Sequence, residues 1–174
     1  MLTVPPGGGA WCTVVEVLGQ DVYRLADLRL NAQAPVFIDI GANIGAFALA
    51  VGSGWPHARF VCLEPAPGAF ADLVSNPEAN GCTARAVAAA VTGESGPSIV
   101  SLFERPSDWC TSTTVNAFAH ASASPPGRWG RVPAVCLGAV LADFERGVDC
   151  LELDVAGAEY DIVTGTQLAT LRRL

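Results

Sequence analysis

A chain of 174 residues is long enough to bury a core and short enough to form one domain. Hydrophobic residues make up 51% and charged residues 16%, which excludes the low-hydrophobicity, high-charge balance of a disordered chain. The net charge of −7, with ten Arg and no Lys, excludes a general nucleic-acid binder, whose phosphate contacts need clustered cations.

Residues 1–10, with Pro5, Pro6 and three glycines, read as a disordered tail, and 11–174 as a single domain. MLTVPPGGGAW has neither the basic nor the apolar region of a signal peptide, and no apolar run approaches a membrane span. A soluble, cytoplasmic protein without a membrane partner is therefore expected. The cysteines Cys12, Cys62, Cys82, Cys110, Cys136 and Cys150 are scattered, with no CxxC and no His at ligand spacing. No metal site is expected, and those inside apolar runs read as small reduced hydrophobes.

WCTVVEVLG and QDVYRLADLRL read as a strand or short helix on the domain edge. From Val36 the pattern sharpens. VFIDI is a buried parallel strand, and GANIGAFALAVGSG a glycine turn opening into a small-residue helix. ARFVCLEP is a second strand stopped at Pro65, and PGAFADLVSNPEAN a helix ending near Asn76-Pro77. TARAVAAAV is a third strand, IVSLFE an added one, and VPAVCL another, followed by the helix GAVLADFER. VDCLELDV is the last buried strand, before the largely helical AGAEYDIVTGTQLATLRRL. Strand and helix alternate, which predicts an α/β, Rossmann-like sheet with helices on both faces, built from βαβ units. The segment 105–131, rich in Ser, Thr and Pro with Trp109 and Trp129 embedded, reads as a long loop, either an acceptor lid or a surface insertion.

Gly41-Ala42-Asn43-Ile44-Gly45 follows a strand and opens a helix, the context of a nucleotide-binding glycine loop. It is not GxGxxG, because Asn43 stands where the second glycine lets backbone approach a pyrophosphate. S-adenosylmethionine has no pyrophosphate, so such a turn suits it, with the helix N-terminus favouring its carboxylate. Asp39, at the strand end, is placed to balance the cofactor's ammonium or to orient the loop. Glu64 closes the second strand, where an acid accepts hydrogen bonds from ribose hydroxyls, and Pro65 follows it. The expected cofactor-binding set is Asp39, Gly41, Ala42, Asn43, Gly45, Glu64 and Pro65.

Together with VFIDIGANIGAF and CLEP, the segment Asp154-Val155-Ala156-Gly157-Ala158-Glu159 resembles the FkbM family of S-adenosylmethionine-dependent methyltransferases. Those proteins typically carry a DIGANIG turn, a strand ending in EP and a D-x-E-G-A-E segment; the likeness spans about 21–165. It implies O-methylation of a hydroxyl on a sugar, polyketide or other small natural product. Asp154 and Glu159 are the catalytic candidates. Asp154 reads as a base, a hydroxyl-orienting acceptor or a helix-capping acid, and Glu159 as an assisting or loop-holding group. His120 is an outside candidate for the base, and His57 reads as a loop residue without a role.

The chain departs from that pattern at Ala156, where the family carries Glu, and at Gly138, where an acid usually follows the Leu. It also stops soon after the fourth core strand, so the fold is expected to lack its last C-terminal strands. A homo-oligomer or another partner is then expected to complete the exposed sheet edge. These departures favour a second reading, a weakly active or inactive S-adenosylmethionine-binding fragment or interaction module. An NAD-dependent dehydrogenase is disfavoured by the broken GxGxxG and by the absence of any Lys for a Tyr-Lys pair.

Overall fold

The computed structural model describes residues 2–4, 8–105, 108–114, 128–144 and 147–166. Two four-stranded sheets carry the fold. The first is parallel, in the order β3-β2-β1-β8, from β1 (Val36–Ile40), β2 (Arg59–Leu63), β3 (Ala84–Val87) and β8 (Cys150–Leu153). Helices α2 (Ala46–Gly54) and α3 (Pro67–Ala79) join β1 to β2 and β2 to β3. This is the Rossmann-like α/β arrangement that the alternation of elements predicts.

Period-two alternation along β1 builds a core on each face of this sheet. Phe37 stacks on Phe60, with centroids 5.5 Å apart, and packs with Phe47, Val51, Cys62 and Leu73 beneath α2 and α3. On the other face Val36, Ile38, Ile40, Val61 and Leu63 meet Leu137 and Leu141 of α4 (Leu137–Ala142) and Ile162 of α5 (Glu159–Thr164). All five residues of β1 are buried, Asp39 included.

The predicted third strand is two strands. After β3 the chain crosses at 88–89 into β4 (Ala90–Thr92), which belongs to the second sheet. That sheet has the order β4-β7-β5-β6, with β5 (Ile99–Arg105), β6 (Asp108–Thr114) and β7 (Arg128–Cys136). β4 lies parallel to β7, while β7 and β6 run antiparallel to β5. Much of the segment expected to be loop at 105–131 is therefore ladder. Its Ser and Thr content reads as loop, yet Thr is β-branched and favours a pleated, half-buried surface. Residues 106–107 and 115–127, with His120, lie outside the described residues, as do the last residues of the predicted C-terminal helix.

The N-terminal region also differs from expectation. Helix α1 begins at Gly8 and runs to Val14, continuing as a π-turn over Val15–Gly19, so Gly8–Ala10 are not tail. α1 packs on β6 and the π-turn on α2. Upstream, the Thr3 N–H donates to Asn76 Oδ1 (2.7 Å), and Asn76 Nδ2 donates to the Thr3 carbonyl (2.9 Å). The same Nδ2 donates to the Ile44 carbonyl (2.9 Å), tying α3 to the glycine turn. α3 itself continues through Pro77 to Ala79, beyond the end the proline suggests.

Asn76 is 1% exposed and holds three segments at once. Asn76→Ala leaves the buried Ile44 carbonyl without this donor, and is expected to cost about 2–3 kcal/mol in urea denaturation. A loss below about 0.5 kcal/mol would show that the three segments hold one another without it.

Candidate functional site

A cleft of about 370 Å³ opens at the C-terminal ends of β1, β2 and β8, where parallel sheets bind ligands. Its floor is Asp39–Asn43, Leu63–Pro65, Glu152 and 154–156. The roof comes from Gly9, Cys12, Thr13, Glu16, Val17 and Tyr23, and Ala89–Val91 with Leu102 close one side.

The glycine turn is fixed by backbone. The N–H groups of Gly41 and Ala42 both donate to the Leu63 carbonyl, at 2.9 and 3.1 Å. Gly41 has φ +91°, and a Cβ there would collide with the carbonyl oxygen of Asp154. Gly45, at φ +87°, starts α2, and a Cβ on it would meet Leu73 and Pro77. Asn43 also takes the left-handed conformation, at φ +49°, which Asn tolerates better than most residues. Glu64 staples this turn to the next. Its Oε2 accepts from the Asn43 N–H (2.9 Å), and its Oε1 from the Ala66 N–H (2.7 Å). The seven expected cofactor residues therefore meet in one place, except that Gly45 lies beneath the turn rather than on the cleft wall.

The two catalytic candidates separate. Asp154 lines the cleft at its exposed mouth, and its N–H continues the β1–β8 ladder by donating to the Ile40 carbonyl (3.0 Å). Glu159 is not among the lining residues. Its carboxylate accepts from the N–H groups of Val155 (3.0 Å) and Gly157 (2.9 and 3.1 Å), folding the 155–157 turn back on the start of α5. Burial acts to raise its pKa, but hydrogen bonds from the backbone of Glu159, Gly157, Val155 and Ala156 outweigh it and lower the value. Ala156 adopts φ +52° in that turn. At Gly138, where an acid was missing, the Glu94 carboxylate fills the space a side chain would take.

Two lining residues escape the sequence reading. Glu152 is the register partner of Asp39 across β1 and β8, and both are buried, at 7% and 1% exposure. Among the described residues no donor reaches Asp39 Oδ2 or Glu152 Oε2. Burial, then the charge and hydrogen bond of Glu152, then Glu64 and Asp154, hold the Asp39 carboxyl well above the usual range. Burial pushes Glu152 up to about 7; hydrogen bonds with Tyr23 and Asp39 oppose the rise and the charge of Asp154 adds to it. The visible signal for Glu152 is one acid inside the apolar run CLEL, but its partner is a matter of strand register.

Tyr23 is the other. Asp21 Oδ1 and Oδ2 accept from the Leu25 and Ala26 N–H groups, at 2.7 and 3.0 Å, and so shape the turn that presents it. Its ring meets Phe47 edge-on at 5.4 Å, and its hydroxyl donates to Asp154 Oδ2 (3.4 Å). Burial and the charges of Glu152, Asp154 and Asp39 raise its pKa, so Tyr23 serves as a donor and not as a base. Cys62 and Cys150 lie on the same face. Burial, then Asp39, raises the first thiol, and burial, then Glu152, pushes the second up to about 11.

Five carboxyls line the cleft, from Glu16, Asp39, Glu64, Glu152 and Asp154, and no Arg or His does so among the described residues. A second cavity of about 440 Å³, between the β4–β5 turn and α5, shares Val91 and Ala158 with it. Among the described residues no helix is long and apolar enough to cross a membrane, and no group of three or more His, Cys, Asp or Glu is arranged to hold a metal ion.

No family model matches the chain. It is 36% identical over 61 residues to methyltransferase sdnD of Sordaria araneosa, a match covering 35% of this chain and 22% of that protein. The chain thus spans about a fifth of that relative's length. A crystal structure from Pyrococcus horikoshii, assigned as a transferase, is 19% identical and covers 49% of this chain and 29% of that one. Its TM-score of 0.35 is too loose to bear on fold or function. The likeness that stands is to a methyltransferase, over a third of the chain.

The buried acid pair sets a pH dependence. Glu152 binds its proton more tightly in the folded chain, at about 7, than at the ordinary 4.5. Native stability is therefore lost as pH rises between those values. Glu152→Gln removes that loss. Its melting temperature is expected to match the parent near pH 4.5 and exceed it at about pH 8, by the equivalent of about 1–3 kcal/mol. Equal melting temperatures at both pH values would refute the acid-pair strain.

Proposed function

We propose that the cleft binds S-adenosylmethionine, and that the chain is a methyltransferase of the FkbM kind acting on a hydroxyl of a sugar, polyketide or other small natural product. One observation carries the reading: a glycine turn of dinucleotide-site geometry opens into a cleft lined by five carboxyls and no cation among the described residues. A pyrophosphate cofactor would place two negative charges against those acids, whereas a sulfonium and an ammonium suit them. The cleft volume falls in the range of about 300–1,000 Å³ usual for small-molecule sites. Asp39 Oδ2, without a donor among the described residues, offers an acceptor to the ammonium. Glu64, held at the end of β2 by the Asn43 and Ala66 N–H groups, stands where an acid meets ribose hydroxyls. Similarity to methyltransferase sdnD supports the same class.

When bound, S-adenosylmethionine supplies an electrophilic methyl group. The work left to the chain is to align an acceptor oxygen and take its proton. Asp154, at the cleft mouth, is the group for this, either as base or as the acceptor that orients the hydroxyl. Tyr23 holds it through the 3.4 Å hydrogen bond. Glu159 positions Asp154 indirectly, by fixing the following turn. Cofactor binding without turnover is the second reading, favoured by Ala156, which leaves no carboxylate at that point of the turn, and by the engagement of Glu159 with backbone. In either reading a second copy or a partner pairing with the outer edge of β8, unpaired among the described residues, completes the sheet.

Calorimetry is expected to give a saturable heat with S-adenosylmethionine and none with NAD. Asp39→Asn should weaken binding about tenfold or more, since a hydrogen bond to a charged group is worth about 1.5–3 kcal/mol. Binding of NAD alone would overturn the cofactor reading. Given binding, Asp154→Asn should lower methyl transfer to hydroxyl acceptors about 100-fold or more with affinity little changed. Tight binding with no transfer to any acceptor would select the non-catalytic reading.

A further inference from the structure

Asp39 and Glu152 face each other in register on adjacent strands, both buried and both on the cleft wall. Two buried carboxyls paired across adjacent strands do not both ionise cheaply, and their side chains hydrogen-bond to each other. Among the described residues, the groups around them offer no positive charge. Glu64 on β2, Asp154 after β8 and Glu16 on the roof are acids, and Tyr23, Cys62 and Cys150 carry protons of their own. Among the described residues one oxygen of each acid nevertheless has no donor, and both residues line the cleft.

We propose that Asp39 and Glu152 hold one proton between them in the ligand-free protein, and release it to solvent when a cationic ligand enters the cleft. Glu152 is then a charge-selecting contact, the second carboxylate meeting the ammonium end that Asp39 meets. The inference rests on the S-adenosylmethionine reading and adds a residue and a proton to it. The balance is simple. The shared carboxylic acid proton passes to buffer, the pair becomes doubly ionised, and the incoming cation compensates the added charge. Below the titration of the shared proton, affinity should rise with pH by about tenfold per unit, and level off above it.

The test is calorimetry with S-adenosylmethionine at about pH 6.5, where an α-ammonium is still charged, in phosphate and in Tris, whose ionisation heats differ. The parent protein is expected to release at least one proton per ligand bound, and Glu152→Gln about one fewer, with an affinity that follows pH less steeply. Equal release from both proteins, or none from the parent, overturns the inference while leaving cofactor binding intact. Absence of heat from the parent overturns the cofactor reading and this inference with it. An infrared difference spectrum of the parent alone keeps the test independent of the variant. A carboxylic acid carbonyl band should disappear on adding S-adenosylmethionine, and its persistence in the saturated protein would also overturn the proposal.

Discussion

The fit of Gly41 against the carbonyl oxygen of Asp154 governs the site. It leaves no room for a Cβ, so the turn after β1 and the turn after β8 pack backbone to backbone. That contact brings Asp39 and Glu152 into register below and sets Asp154 at the mouth above. Glu64 adds a second fixed point, its carboxylate accepting from the Asn43 and Ala66 N–H groups, so three strand ends converge through main-chain groups and one doubly bonded side chain. Such a frame costs little reorganisation when a ligand enters.

The β1 half of the site was legible in the chain itself. A short apolar run with one late acid, a glycine turn, and an acid closing the next strand are all local signals. They bring Asp39, Gly41, Asn43 and Glu64 together, and the structure places all four on one cleft. The parallel sheet was legible for the same reason, because strand and helix alternate through β3. The motif likeness to FkbM proteins goes further than the comparisons do, which reach a methyltransferase over 61 residues.

What was not legible depends on distance along the chain. Glu152 lies 113 positions from Asp39, and only the β1–β8 register makes them a pair. Tyr23 enters because Asp21 folds its own turn and α1 roofs the cleft, although glycines and prolines made the start of the chain look like tail. Thr-rich sequence near 108–114 hid a strand whose pairing with β5 overrides the loop-like composition. Pro77 marks a helix end by rule, yet α3 runs two residues past it, with Asn80 Nδ2 donating to the Asn76 carbonyl (2.8 Å) at its close.

The raised thiols beside the acid pair carry a consequence of their own. Thiolates are the nucleophilic form of cysteine, and Cys62 and Cys150 share a sheet face with the acid pair. Burial together with the charges of Asp39 and Glu152 keeps Cys62 and Cys150 as neutral thiols at neutral pH. The electrostatic field proposed to attract a sulfonium thus also keeps these two thiols in their less nucleophilic form.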